Sequence, residues 1–215
     1  TLSIRDSVKC RRVISSPFYM RNIIRKFPDF ELTGDQNTKI RFDNTQGGYR
    51  LATSVDGALT GEGGDIIVVD DPHNVVQGES TTYRESVLRW WDEAMSTRLN
   101  NPQTGAYVII MQRVHENDLT GHILEKEYGN WNHLCLPARY ERETRSKTIL
   151  NFTDPRTEKG EPLWPERYGD KELKELEKSM SPYAAAGQLQ QRPAPREGGM
   201  FNVDKFNLIN DFDST

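Results

Sequence analysis

Two segments of unbroken apolar residues, "IIVV" within "DIIVVDD" and "VII" within "AYVIIMQR", constrain this chain more than anything else in it. Strands that are apolar at consecutive positions, rather than at alternate ones, fit a sheet buried on both faces. Between them, "TYRESVLRWWDEAMSTRL" has apolar residues at helical spacing, and Ser80, Thr81 and Thr82 are the residue types that start helices. Strand, helix, strand in that order predicts a parallel βαβ crossover and an α/β layered fold.

The remaining segments fit around this centre. "IRDSVKCRRVISS" and "FYMRNIIRKF" predict two helices with basic outer faces, and "TKIRFDN" and "GYRLATSV", joined through "NTQGG", predict a hairpin. A Gly-rich loop, "DGALTGEGG", leads into the first core strand, Asp65 to Asp70. After the second strand come a helix over "NDLTGHILEKEYG", a third strand around "WNHLCLPARY", and a polar excursion without periodicity from Arg142 to Asp170. A charged helix, "KELKELEKSM", and a small-residue helix, "PYAAAGQLQQR", precede "RPAPREGG", which reads as a linker and puts a domain boundary near residue 193. There is no internal repeat.

Composition excludes several classes. The 215 residues suffice for one sizeable domain and at most a second small one. With 28 Lys and Arg against 32 Asp and Glu, the net charge of −4 leaves no global basic field for coating nucleic acid, so any such contact must be local. No apolar run approaches the roughly 20 residues of a membrane span. Cys10 and Cys135 lack any paired spacing, which argues against a zinc site or disulfide framework and for buried small residues in a reducing compartment.

The first core strand ends in Asp70 and Asp71, followed by Pro72. Ligands of open parallel sheets gather at the carboxyl ends of strands, so two acids there are in the position of a site. An apolar strand running into two acids is the Walker B arrangement, in which the first carboxylate holds Mg²⁺ and the second orients the water that attacks the γ-phosphate. Proline disfavours helical backbone in the residue before it, and so predicts an extended Asp71 aimed past the strand. A plain turn remains the alternative. A two-metal nuclease site is a further one, but no second acid-bearing apolar strand supplies the carboxylates it needs.

The second strand ends in Gln112 and Arg113. Placed beside the Asp70 strand, this polar pair is where motor ATPases sense the γ-phosphate; alternatively the two residues leave the core and cap the next helix. His115, Glu116 and His122 have no zinc-ligand spacing and are expected at the surface.

The strings "GGYRLATSVDGALTGEGGDIIVVDDPHN", "WWDEAMSTRL", "VIIMQRVHENDLTGHIL", "LPARYE", "LWPERY" and "GQLQQRPAPREGGMF", in this order, resemble the large terminase subunit of tailed bacteriophages, the ATP-driven motor that packages viral DNA. The similarity runs through nearly the whole chain. It implies a P-loop NTPase-like (ASCE) parallel sheet flanked by helices and incomplete at its amino end, with residues 1–193 as an ATPase domain lacking the Walker A segment. Residues 194–215 would be the linker and the start of a nuclease domain.

The resemblance further implies ATP and Mg²⁺ as cofactors, Asp70 as the metal-holding acid, and Asp71, Gln112 and Arg113 as catalytic or coupling residues. Double-stranded DNA, a portal protein, a small terminase subunit and a homo-oligomeric ring would be its partners. The place of work would be the host bacterial cytoplasm at the portal vertex of the procapsid, with no membrane involved.

Three departures qualify this. Asp71 stands where many relatives carry Glu. The loop before the acids reads Gly61-Glu62-Gly63 where many relatives have Gly-Arg-Gly, which leaves Arg50 and Arg113 as arginine-finger candidates. No stretch matches the phosphate-binding G-x-x-x-x-G-K-[ST] loop, since "GDQNTK" lacks the second glycine and "GEGGD" the lysine.

The family carries that loop upstream of "LSIRDSVKC", so a fragment is expected, with little ATP affinity, no cleavage, and an unpaired apolar sheet edge prone to self-association. Asp211 and Asp213 stand near where nuclease carboxylates would begin and are expected as solvated tail acids. The alternative function is a non-catalytic module that binds DNA or a portal through Arg11, Arg12, Arg21, Arg25 and Lys26.

Overall fold

The computed structural model of the chain describes residues 2–57, 61–126 and 131–194. Contacts divide it into two compact units, Thr1–Asp65 with Thr97–Gly105, and Ile66–Ser96 with Ala106–Thr215. The expected linker and nuclease start, with Asp211 and Asp213, lie outside the described residues.

In the first unit two helices, α1 (Leu2–Ile14) and α2 (Pro17–Ile23), precede an antiparallel sheet of β1 (Leu32–Asn37), β2 (Arg41–Asn44) and β3 (Tyr49–Leu51), in that order. The Ser16 hydroxyl accepts from the Tyr19 amide and Pro17 supplies the fixed φ of a first helical residue, which together start α2. The β2–β3 turn is built by the Asn44 side chain, which accepts from the amides of Gln46 and Gly48, and by Gly47 at φ +79°. Phe30, Phe42 and Ala52 are buried. Strand β1, "LTGDQN", has almost no apolar content and was not expected. It forms because its partner β2 carries the buried Phe42 and because Thr38 ties the connection to Arg41.

In the second unit β4 (Ile66–Asp70) pairs in parallel with β5 (Ala106–Ile110), in register from Ile66 opposite Ala106 to Asp70 opposite Ile110. Helix α3 (Thr81–Trp90), capped by Ser80, runs on into a π turn over Trp91–Met95. It is followed in the chain by α4 (Leu119–Lys126), α5 (Asp170–Ser179) and the short α6 (Pro182–Ala184), which continues as a second π turn over Ala185–Leu189. The unit is thus mixed α/β with a small parallel sheet, and among the described residues no helix is long and apolar enough to cross a membrane.

Strand alternation decides where the core sits. Val69 is buried and Ile67, Tyr107 and Ile109 are half-buried, and the Tyr107 ring meets Trp91 edge-on at 5.1 Å between centroids. The Tyr107 hydroxyl donates to the Met95 carbonyl at 2.6 Å, so the aromatic satisfies its polar end while filling the core. Val87 and Leu119 are wholly buried. The opposite row, Ile66, Val68, Val108 and Ile110, is 69, 52, 40 and 56% exposed. The expected burial on both faces therefore does not hold among the described residues: one face of the two strands meets Trp91, Met95 and Trp131 through Tyr107, and the other turns to solvent.

The expected third strand around "WNHLCLPARY" does not form either. Pro137 has no N–H to offer a ladder, and the residues after it take separate partners. Ala138 donates to the Leu189 carbonyl at 2.7 Å and Tyr140 to that of Glu161 at 2.9 Å. The excursion beyond is irregular, as expected, but organised by a buried ion pair. Arg156 Nη2 lies 2.8 Å from Asp154 Oδ2, and Nη1 donates to the carbonyls of Pro137 and Glu161. Nε donates to Asp154 Oδ1 at 3.1 Å, so each guanidinium nitrogen has an acceptor, as burial of the group requires.

Candidate functional site

The parallel register places the carboxyl ends of β4 and β5 side by side, which brings Asp70, Asp71 and Gln112 together as three exposed side chains. Asp70 follows Ile66 and Val68 on the exposed face of β4. Asp71 continues the ladder for one more bond, its amide donating to the Ile110 carbonyl at 2.9 Å. Its backbone then turns left-handed, at φ +44°, rather than extended as Pro72 led us to expect. Aspartate is among the few residues that tolerate this conformation. Its carboxylate accepts from the Gln112 amide at 3.3 Å. The second acid is thus aimed across the strand ends.

Beyond Asp71 the chain dives inward, with Pro72 and His73 buried. His73 Nε2 accepts from the Leu119 amide at 2.9 Å, which puts the ring proton on Nδ1, a buried atom without a partner among the described residues. Burial pushes the His73 pKa below its ordinary value, the nearby Arg84 and His115 push the same way, and Asp118 opposes them. The imidazole is therefore neutral near pH 7 and remains an acceptor. Arg84, also buried, donates to the carbonyls of Gly78 and Glu79 at 2.7 and 2.8 Å and so pins the return of this loop to the start of α3.

On the β5 side, Arg113 turns away from the strand ends. Its Nε lies 2.9 Å from both oxygens of Asp118, and its Nη2 donates to the Glu116 carbonyl at 3.1 Å. Asp118 is wholly buried and accepts in addition from the amides of Val114 and Gly121, at 3.1 and 3.0 Å. The last bond makes Asp118 the N-cap of α4. The guanidinium of Arg113 thus completes a helix cap, the alternative role its sequence position suggested.

The final described segment folds back onto this loop. Gln191, at φ +56°, accepts from the Arg113 amide through Oε1 at 3.0 Å, and the Tyr183 hydroxyl donates to the Val114 carbonyl at 3.3 Å. Gln190 pairs with both main-chain groups of Arg139, at 2.9 and 3.2 Å. Sequence reasoning placed "QQRP" near a domain end without a role, and did not single out His73 or Asp118. For Asp118 the signal was present, since an acid directly before "LTGHIL" is an N-cap pattern. For His73, Gln190 and Gln191 there was none, because their partners lie 46 to 78 residues away.

The other sequence candidates stay apart. His122 meets Asp92 at 3.0 Å, joined by Lys126 at 2.9 Å, whereas His115 accepts from the Asn117 amide through Nδ1. Among the described residues no three His, Cys, Asp or Glu side chains gather into a group that could hold a metal ion. Glu62 of the Gly-rich loop pairs with Arg41 at 3.1 Å, and Arg50 lies on β3 with a buried Nε that has no acceptor among the described residues. In the basic N-terminal helices Arg11 donates to the Asn37 and Thr38 carbonyls, and Arg21 to that of Pro17. No protein-family model and no curated protein sequence matches this chain.

Proposed function

We propose that this chain is part of an ATP-hydrolysing DNA-packaging motor of the large terminase type, carrying the acidic side of its nucleotide site. The observation that supports this most directly is the convergence of Asp70, Asp71 and Gln112 at the carboxyl ends of two parallel strands. This is where nucleotide chemistry is performed in open α/β sheets. The ordered strings that resemble the family add to it.

In this reading Asp70 would hold Mg²⁺. A single carboxylate fits that ion, which keeps several waters and completes its shell with substrate phosphates instead of a protein cage. The ion supplies neutralisation of charge on the β- and γ-phosphate oxygens. Asp71, turned across the strand ends and accepting from the Gln112 amide, would orient the attacking water. Gln112, exposed beside it, would sense the γ-phosphate. Arg113 positions the loop through Asp118 and leaves the arginine finger to another residue. Double-stranded DNA, a portal protein, a small terminase subunit and further copies in a ring, assembled at the portal vertex in the bacterial cytoplasm, are the partners and place this function requires.

The test is Mn²⁺ binding, as a paramagnetic stand-in for Mg²⁺, followed by electron paramagnetic resonance with and without ATP. Asp70→Asn should weaken it at least tenfold while leaving the melting temperature unchanged. Equal affinity in the variant would remove Asp70 from the site and with it this reading. Plasmid cutting by the chain in Mn²⁺ would instead favour a nuclease.

A further inference from the structure

The first backbone amides of a helix have no partner within it, and a cap residue usually serves them. In α4 the cap Asp118 takes the amide of Gly121 and the Arg113 guanidinium, whereas the Leu119 amide is served by His73, a side chain from a different loop. That bond is 2.9 Å long and both residues are buried, His73 at 4% and Leu119 at 0% exposure. It joins the loop that leaves β4 to the loop that leaves β5, next to the point where Asp71 meets Gln112. The Asp71–Gln112 contact is itself exposed and, at 3.3 Å, long. Water competes readily for such a bond, so it cannot hold the two loops together. The buried imidazole can.

We propose that His73 is a positioning residue for the paired carboxylates: by accepting from the Leu119 amide it holds the post-β4 loop against the first turn of α4 and so keeps Asp71 on the Gln112 amide. The importance of that alignment for a cation rests on the function proposed above; the alignment itself does not. His73 does not touch the reacting groups, and its ring edge packs against Tyr83 at 6.5 Å between centroids. Leu119 carries the coupling because its amide belongs to the same rigid turn that Asp118 and Arg113 fix behind Gln112.

Three variants separate this from a packing role. His73→Phe keeps an aromatic ring and loses the acceptor, His73→Gln retains an acceptor at about the reach of Nε2, and His73→Asn is polar but too short. Amide hydrogen exchange at Leu119 and Gln112 and Mn²⁺ affinity are measured on the whole chain, with circular dichroism to establish folding. In His73→Phe and His73→Asn, exchange at both amides should rise about tenfold, the worth of one hydrogen bond, with Mn²⁺ affinity falling less because Asp70 and not Asp71 would hold the ion. His73→Gln should restore both.

Unchanged Gln112 exchange in folded His73→Phe would overturn the proposal. If Gln112 exchange responds while the wild-type chain binds no Mn²⁺, the positioning stands and the nucleotide reading fails. Should His73→Phe not fold, ring nitrogen chemical shifts of the wild-type protein decide: an Nδ1-protonated tautomer supports the bond, and an Nε2-protonated one overturns it.

Discussion

Arg113 and Asp118 form the best-satisfied ion pair around the candidate site, with one guanidinium nitrogen 2.9 Å from both carboxylate oxygens and the acid wholly buried. Removing the cation strands a buried charge that still caps a helix. Breaking such a pair costs about 3 kcal/mol, far more than an exposed one. Arg113→Ala should therefore lower the urea midpoint strongly, and Asp118→Ala by a similar amount. Arg113→Lys should recover little, because a point charge cannot reproduce the planar contact. An Arg113→Ala variant as stable as wild type would restore this residue as an arginine-finger candidate.

Gly121 gives a prediction with competing signs. Alanine inside a helix is favoured over glycine by about 1 kcal/mol. Here, however, a Cβ would lie 2.0 Å from the Glu116 carbonyl oxygen, a backbone atom that cannot step aside without disturbing the Asp118 cap. The clash should win, with Gly121→Ala costing about 2 kcal/mol net. Thermal melts of this variant beside Gly34→Ala, where no atom lies within 4 Å, provide the check.

How far the sequence carried can be read from these same elements. Strands β4 and β5 and helices α3, α4 and α5 were legible because apolar spacing is a local property, and the parallel pairing that unites Asp70, Asp71 and Gln112 follows from strand, helix, strand order. Strand β1 was not legible, since six mostly polar residues become a strand only through their partner. The third strand is absent for a physical reason: "LCLPA" has the composition of a strand, but Pro137 has no amide to offer and Ala138 and Tyr140 bond the distant carbonyls of Leu189 and Glu161. Asp71 has a left-handed backbone where an extended one is expected, because the rule for residues before proline does not foresee a carboxylate that bonds the neighbouring strand. The side chains that fix the site's walls, His73 and Gln191, are polar groups with distant partners, invisible to any window along the chain.

Stability should fall with acid in two steps. His73 is held neutral by burial, with its pKa below the ordinary 6.5. The unfolded chain therefore takes up this proton first, and the contribution, complete above about pH 6.5, is lost as pH falls below it. Asp154 is the opposite case: the hydrogen-bonded Arg156 guanidinium, aided by Arg145, holds its carboxyl below the usual 3.8, against the effect of burial. Its contribution is present above about pH 4 and disappears as pH drops through the lowered value. Urea midpoints at pH 8, 5.5 and 3 should show both losses. Asp154→Asn should reduce only the lower loss and His73→Gln only the upper; His115 and His133, also held below the ordinary value by burial, keep the rest of the upper one, and Asp92 and Asp170 the rest of the lower.

The exposed row of Ile66, Val68, Val108 and Ile110 sets the last expectation. Four large apolar side chains on one face of a two-stranded sheet form a contiguous patch of the kind soluble monomers avoid, next to strand edges that no third strand covers among the described residues. The isolated chain should self-associate at micromolar concentration, with light scattering that rises with temperature before the main unfolding transition. Replacing Val68 and Val108 by Lys and Glu should suppress this. The two face each other in register, so opposite charges there attract across the strands instead of repelling. Because both residues are already at least 40% exposed, the double variant should lose about 1 kcal/mol or less of stability. A wild-type chain that stays monomeric at high concentration and melts sharply would show that this face tolerates water, and association would then have to be sought elsewhere on the molecule.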